Sequence, residues 1–122
     1  MPEPTLRGCR ILVVEDEYLL ADELQSALED AGAVVVGPVG TLENAIALIE
    51  SGQSIDGAIL DVNLRGEMAF SAADLLMERG LPFIFTTGYD LSALPPRFAN
   101  VARCEKPISI TKMAAAIGRI ID

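Results

Sequence analysis

Short apolar runs alternate along the chain with stretches of helical periodicity. Ile11–Val14 is a continuous apolar run typical of a buried strand, whereas Leu20–Ala31 places apolar residues three and four positions apart, as an amphipathic helix does. Gly32 is expected to end this helix, and Thr41 to cap the next one. Further apolar runs lie at positions 33–36, 57–60, 83–85 and 101–104, and further helical stripes lie at 41–49, 69–76 and 109–121.

Five apolar runs that alternate with helical stripes indicate the fold class. Strands that are apolar throughout are buried on both faces, which requires a parallel sheet with helices on each side. The pattern therefore predicts a doubly wound, five-stranded α/β fold. The fourth helix is expected to be short or irregular, because Pro95-Pro96 lies within positions 86–100. We expect one domain over residues 1–122, with no output domain.

The composition excludes several classes of function. The 122 residues carry 18 acidic and 9 basic side chains, a net charge of −9, which repels nucleic acid and anionic membrane surfaces. The absence of histidine excludes histidine-based catalysis and histidine metal sites. The two cysteines, Cys9 and Cys104, are too few for a zinc site or a disulfide framework. With no visible signal peptide or membrane span, we expect a cytoplasmic protein.

Polar side chains follow four of the predicted strands at their carboxyl ends, where open parallel sheets bind ligands. These segments are Glu15–Glu17, Asp61, Thr86–Gly88 and Glu105–Pro107. Each segment alone also has an ordinary structural role, because acids stabilise helix N-termini, Asp and Gly form turns, and lysines are commonly solvated. The convergence of all four at one edge of the sheet favours a ligand site.

The acidic residues of this edge indicate phosphoryl chemistry with a divalent cation. Neighbouring carboxylates repel each other and therefore take up protons or a cation, and oxygen ligands suit Mg²⁺. We predict Asp16 and Asp61 as direct Mg²⁺ ligands, and Glu15 as a ligand through water. Asp61 is then a candidate nucleophile toward phosphorus, with Lys106 and the Thr87 hydroxyl binding the phosphoryl oxygens.

The chain resembles the response-regulator receiver domains of two-component signalling. The segments that carry the resemblance are Val13–Asp16, Leu60–Asn63, Thr87-Gly88 and Lys106-Pro107, which match in order and spacing. The resemblance implies a flavodoxin-like sheet with strand order 2-1-3-4-5, Asp61 as the phosphoacceptor, and the backbone carbonyl of Asn63 as a further Mg²⁺ ligand. Pro82–Tyr89 also resembles a receiver subgroup, often stand-alone, whose fourth strand ends in a Phe-x-Thr-Gly-Tyr motif.

Three positions near these motifs bear on how the protein switches. Arg103 stands where many receivers carry an aromatic residue, so the usual ring rotation cannot transmit the signal. Arg65 stands where many receivers carry proline, four residues after the phosphoacceptor. Tyr89, two residues after Thr87, is expected to lie over the site and to lengthen the lifetime of the acyl phosphate by hindering water.

The sequence supports a single-domain response regulator. A sensor histidine kinase would phosphorylate Asp61 in a Mg²⁺-dependent reaction, and the product would bind another protein or act as a phosphate sink or shuttle. The enzymatic activity expected is, at most, self-phosphorylation and self-dephosphorylation. The alternative is a receiver-like module that binds proteins without being phosphorylated. Arg65 and Arg103 favour it, and it is opposed by four intact residues, Asp16, Asp61, Thr87 and Lys106.

Two further alternatives conflict with particular residues. A phosphatase with Asp61 as nucleophile commonly needs a second acid two positions later, where the chain has Asn63. A bound flavin would meet the negative charges of Glu15–Glu17 in place of a phosphate-binding loop. No nucleic-acid or membrane partner is expected from the charge of the chain.

Overall fold

A computed structural model of the protein describes residues 6–88 and 94–121. In chain order its elements are β1 (Arg10–Val14), α1 (Tyr18–Asp30), β2 (Val34–Val39), α2 (Leu42–Glu50), β3 (Gly57–Asp61), β4 (Asn63–Leu64), β5 (Glu67–Met68), α3 (Phe70–Glu78), β6 (Phe83–Thr87), a 3-10 helix (Pro96–Phe98), β7 (Ala102–Glu105) and α4 (Ile110–Ile121). Five parallel strands form one sheet in the order β2-β1-β3-β6-β7. The predicted flavodoxin-like fold and its 2-1-3-4-5 order are confirmed, because β4 and β5 form a separate hairpin.

The central strands are buried on both faces, as their apolar sequences predict. Leu12 and Val14 of β1 belong to the core that includes α2 and α3, whereas Ile11 and Val13 belong to the core that includes α1 and α4. All residues of β3 and β6 are buried. This double burial holds the sheet rigidly, so the carboxyl ends of its strands form a fixed platform.

The ends of the first two helices follow their sequence signals. Gly32, with φ +95°, lies just beyond the C-cap of α1, and the Ala33 N–H donates to the Leu28 carbonyl at 2.9 Å. This is the hydrogen bond of a Schellman motif, which requires a left-handed residue at the glycine position. The Thr41 hydroxyl accepts a hydrogen bond from the Asn44 N–H at 3.1 Å, which caps α2. Both predicted boundaries are confirmed.

The hairpin after β3 was not predicted from the sequence. Its turn residues, Arg65 and Gly66, have φ values of +54° and +88°, and the Asn63 side-chain oxygen accepts a hydrogen bond from the Gly66 N–H at 2.6 Å. Two successive left-handed residues are typical of a tight two-residue hairpin turn. Proline, whose ring fixes φ near about −65°, is incompatible with the conformation of Arg65. The departure from the usual proline therefore has a geometric reason.

The region after β6 contains the irregular element that the prolines predict. Its described part holds only the short 3-10 helix, whose Phe98 is buried against Phe85 with ring centroids 5.3 Å apart. Arg97 joins this helix to α3 through two hydrogen bonds to Asp74, of 2.8 and 3.0 Å. Tyr89 lies outside the described residues. Among the helices of the described residues, none combines the length and apolarity needed to span a bilayer.

Candidate functional site

Three carboxylates meet at the carboxyl ends of β1 and β3. Glu15 and Asp16 follow β1, and Asp61 is the last residue of β3, its neighbour in the sheet. One carboxylate oxygen of each residue lies within 4.8 Å of the other two. Glu15 is only 3% exposed and Asp61 only 4%. The structure thus brings together the three acids that the sequence analysis assigned to one site.

Backbone amides orient two of these acids in the same way. The Asn63 N–H donates to Oδ1 of Asp61 at 3.1 Å, and the Glu17 N–H donates to Oε2 of Glu15 at 3.0 Å. In each case the donor lies two residues after the acid, where the chain turns away from the strand. These hydrogen bonds hold the two carboxylates in defined directions.

Lys106 supplies a positive charge at the centre of the cluster. Its ammonium Nζ lies 2.6 Å from Oε2 of Glu17, 2.8 Å from Oδ2 of Asp61 and 3.4 Å from Glu15. Its backbone N–H donates to the Thr87 carbonyl at 2.7 Å, so the pairing of β6 with β7 places the lysine. The ammonium therefore bridges acids from two different strand ends.

Two threonines at the end of β6 add hydroxyl groups to this edge. Thr86 and Thr87 are 0% and 3% exposed, and within the described ranges neither Oγ1 has a hydrogen-bond partner. Buried hydroxyls without partners are uncommon in folded proteins, because their desolvation is not compensated. Thr86 pairs with Asp61 across the sheet, and Thr87 follows it. The Thr87 hydroxyl is therefore an available donor close to the acids.

The environment raises the pKa of two groups of this edge, Glu15 and Lys106, for different physical reasons. Burial raises the pKa of Glu15 to about 8; the charge of Asp61 raises it too, while the Glu17 N–H and Lys106 lower it. Burial lowers the pKa of Lys106, but its hydrogen bonds to Asp61 and Glu17 raise it more, so the net shift is upward. The cluster therefore favours the protonated form of Glu15 and the charged form of Lys106.

The donor set of the cluster fits a small divalent cation. Its ligand atoms are carboxylate oxygens, which Mg²⁺ prefers, and Oε1 of buried Glu15 accepts no hydrogen bond from the described residues. A cation at this position would compete with a proton for the Glu15 carboxylate. The cluster of Glu15, Asp16 and Asp61 is therefore compatible with Mg²⁺ binding.

Comparison with known proteins decides the family. No protein-family model matches the chain. Its solved relatives include SdrG from Sphingomonas melonis Fr1, 39% identical over 97% of this chain and 98% of SdrG, with a TM-score of 0.80. The BeF3-activated conformation of SdrG from Pseudomonas melonis Fr1 matches over 100% of both chains, at 37% identity and a TM-score of 0.76. A response regulator receiver protein from Sinorhizobium medicae WSM419 is 25% identical over 93% of this chain and 94% of that one, with a TM-score of 0.81. The chain belongs to the response-regulator receiver domains.

A longer regulator shares the same domain. The transcriptional regulatory protein PdtaR from Mycobacterium tuberculosis is 30% identical over 112 residues, which are 88% of this receiver and 54% of PdtaR. The chain spans about half the length, or less, of the curated relatives that it matches. The family prediction is confirmed, whereas membership of the Phe-x-Thr-Gly-Tyr subgroup stays a prediction.

Arg103 and Arg65, the two arginines at which this receiver departs from the family pattern, make different contacts. Arg103 is exposed on β7, where its Nη2 donates to the Ala99 carbonyl at 3.3 Å. Arg65 reaches the acidic cluster, with its Nε 3.9 Å from Oδ2 of Asp16. The effect of Tyr89 on the phosphoryl lifetime stays a prediction.

The ion pair between Glu17 and Lys106 is not predicted from the sequence. In the sequence Glu17 stands beside Glu15 and Asp16, as the last residue of an acidic run. In the structure it makes the shortest contact of Lys106 in this receiver. The available signal was its position directly before the first helix, at the same edge as the lysine.

Open grooves give this edge of the receiver access to solvent. A groove of about 330 Å³ is lined by Asp16, Val39 and Arg65, among others. A second groove, of about 750 Å³, is lined by Glu17 and Lys106, among others. Glu15, Asp16, Glu17 and Lys106 therefore line grooves that open to solvent.

Proposed function

We propose that this receiver accepts a phosphoryl group on Asp61 from a sensor histidine kinase, in a Mg²⁺-dependent reaction. The observation that carries the proposal is the position of the Asp61 carboxylate, 2.8 Å from the Lys106 ammonium and grouped with Glu15 and Asp16. The phosphorylated protein would act by binding another protein, or as a phosphate sink or shuttle. The net charge of −9 favours a protein over a nucleic acid as the downstream partner.

Phosphoryl transfer requires mainly that the protein position the reacting groups and stabilise their charge. An oxygen of Asp61 forms a bond to phosphorus while the bond between phosphorus and the donor's imidazole nitrogen breaks. The electron pair of that bond stays on the imidazole, which takes up a proton from solvent. Lys106 stabilises the negative charge of the transferred group, and the Thr87 hydroxyl donates a hydrogen bond to one of its oxygens. The Asn63 N–H keeps the Asp61 carboxylate oriented.

The acids around Asp61 would hold the cation. Asp16 and Asp61 are proposed as direct ligands, Glu15 as a ligand through water, and the backbone carbonyl of Asn63 as a further ligand. When bound, Mg²⁺ supplies charge neutralisation to the phosphoryl oxygens. SdrG, which this chain matches along its whole length, has a BeF3-activated conformation, and we propose that the present receiver responds to beryllofluoride in the same way.

The direct test is phosphorylation by a small donor. The protein is incubated with Mg²⁺ and acetyl phosphate, and its intact mass is measured for wild type, Asp61→Asn and the control Asp30→Asn, which changes an exposed acid at the end of α1. We expect an acid-anhydride adduct, labile at high pH, in wild type and in the control but not in Asp61→Asn. An adduct that persists in Asp61→Asn contradicts the assignment of the phosphoacceptor.

The same experiment tests the alternative function. Arg65, 3.9 Å from Asp16, already brings a positive charge to the acidic cluster, which favours a module that binds proteins without phosphorylation. Absence of an adduct in wild type, with the sample shown to be folded, would support that module and refute the proposed phosphorylation.

A further inference from the structure

We infer that Glu17 is a positioning residue that competes with the phosphoryl group for Lys106 and so restrains this receiver from switching. The inference rests on the proposed phosphorylation of Asp61. It starts from the contact of 2.6 Å between Oε2 of Glu17 and Nζ of Lys106, the shortest that the ammonium makes. Hydrogen bonds between two charged groups are the strongest of their kind.

The backbone of Glu17 is fixed, which makes this contact a property of the fold. Glu17 is the N-cap of α1, with φ −84° and ψ 111°. Its N–H donates to Glu15, and its carbonyl accepts the Ala21 N–H at 2.9 Å. Its side chain, however, accepts no hydrogen bond from the helix amides. The carboxylate is directed to Lys106 instead of capping the helix.

Lys106 has three N–H donors, and three carboxylates already share them. Glu15 and Asp61 belong to the cluster that is compatible with Mg²⁺, so a cation would compensate their charges. Glu17 lies outside this cluster, so a bound cation would leave its ion pair with Lys106 intact. A phosphoryl group on Asp61 brings new oxygens that need the same donors. Glu17 opposes that group twice, by occupying Lys106 and by adding a negative charge beside it.

The competition is measured with beryllofluoride, which binds carboxylates as a phosphoryl analogue without turning over. Full-length wild type and Glu17→Gln are titrated in saturating Mg²⁺, and the bound fraction is followed by fluorine NMR. We expect Glu17→Gln to bind beryllofluoride about two- to fivefold more tightly, the range that partly exposed ion pairs contribute. Glu23→Gln, which removes an equal charge from an exposed position of α1, should bind like wild type.

A second variant separates the contact with Lys106 from any role at the helix end. Glu17→Asp keeps the charge, but its shorter side chain is suited to cap α1 and no longer reaches the ammonium. We expect a Tm equal to or above that of wild type, together with tighter beryllofluoride binding. A purely structural role of Glu17 would instead move the Tm and leave the affinity unchanged.

The outcomes distinguish the inference from the function on which it rests. Unchanged or weaker binding in Glu17→Gln, with normal binding in wild type, overturns the inference alone. Equal tightening in Glu23→Gln assigns the effect to net charge and also overturns it. If folded wild type binds no beryllofluoride and forms no adduct with acetyl phosphate, the proposed phosphorylation itself is wrong.

Discussion

Lys106 and Asp61 are 45 positions apart in the sequence, yet Nζ and Oδ2 of the two side chains are 2.8 Å apart. Lys106 follows β7 and Asp61 ends β3, and these two strands are separated in the sheet by β6. The lysine therefore reaches across a whole strand to Asp61. Any change in the pairing of β6 with β7 would alter this distance, which couples the edge of the sheet to the site.

Mg²⁺ at millimolar concentration should raise the Tm of the protein, because a ligand that binds only the folded state stabilises it by RT ln(1 + [L]/Kd). Asp16→Asn should abolish most of this shift, since it removes a carboxylate of the acidic cluster. Asp22→Asn, which removes an exposed acid of α1, serves as the control. Thermal denaturation of the three proteins with and without Mg²⁺ checks this, and an equal shift in Asp16→Asn would count against the assigned site.

Lys106→Met should destabilise the protein without Mg²⁺ by about 1–2 kcal/mol, which lowers the Tm by roughly 3–8 °C. The variant leaves Glu15 and Asp61 buried without their ammonium partner. Mg²⁺ should still bind, and should restore part of the lost stability. Lys112→Met changes the only other lysine of the chain and should have little effect, because Lys112 is exposed.

The outcome of the lysine experiment is read from denaturation curves recorded with and without Mg²⁺. Equal stability of Lys106→Met and wild type without the cation would show that the ammonium does not compensate the acids. The adduct with acetyl phosphate should still form in Lys106→Met but should fail to change the conformation. Normal activation of this variant would contradict the assigned role of the lysine.

The stability of the metal-free protein should fall as the pH rises from about 4.5 to about 8, through Glu15. Burial raises the pKa of this carboxyl to about 8 in the folded protein, from 4.5 as its ordinary value. Between these values the folded protein holds a proton that the unfolded chain has lost, so a rise in pH favours unfolding. Glu15→Gln removes the titratable group and should make the free energy of unfolding less dependent on pH. Urea unfolding at about pH 5 and about pH 8 measures this change in the free energy of unfolding for both proteins. An equal change in Glu15→Gln and wild type would contradict the assignment of the pH dependence to Glu15.

Arg65→Asn should tighten Mg²⁺ binding about two- to fivefold, because the guanidinium beside Asp16 competes with a cation for the same carboxylate. Asparagine tolerates the left-handed backbone of position 65, so the hairpin is kept. Lys112→Gln removes an equal charge elsewhere and should leave the affinity unchanged. Calorimetric titration measures the Mg²⁺ affinity of each variant. An equal gain in affinity in both variants would show that the effect comes from net charge and not from the contact with Asp16.

Much of the site could be predicted because parallel strands end at one edge of a sheet. The apolar runs identify the strands, and the polar residues after them, among them Asp61 and Lys106, then have to meet. Gly32 and Thr41 mark helix ends because their chemistry acts locally. Such signals lie within a few residues of the structure that they determine.

Other features were not predictable from local patterns. The strands of the β4–β5 hairpin have two residues each, too few to show an alternation. The expected second strand stopped at position 36, whereas β2 continues through Pro38 to Val39, which an edge strand tolerates. The contact of Glu17 with Lys106 joins residues 89 positions apart and depends on side-chain directions that only the packed structure defines.

The segment between β1 and α1 places three consecutive acids in three different settings. Glu15 is buried beside Asp61, Asp16 lies near Arg65, and Glu17 reaches Lys106. Insertion or deletion of one residue here would move every acid to the wrong neighbour, even though all three acids remained in the sequence. The length of this loop is therefore as much a part of the site as the carboxylates themselves.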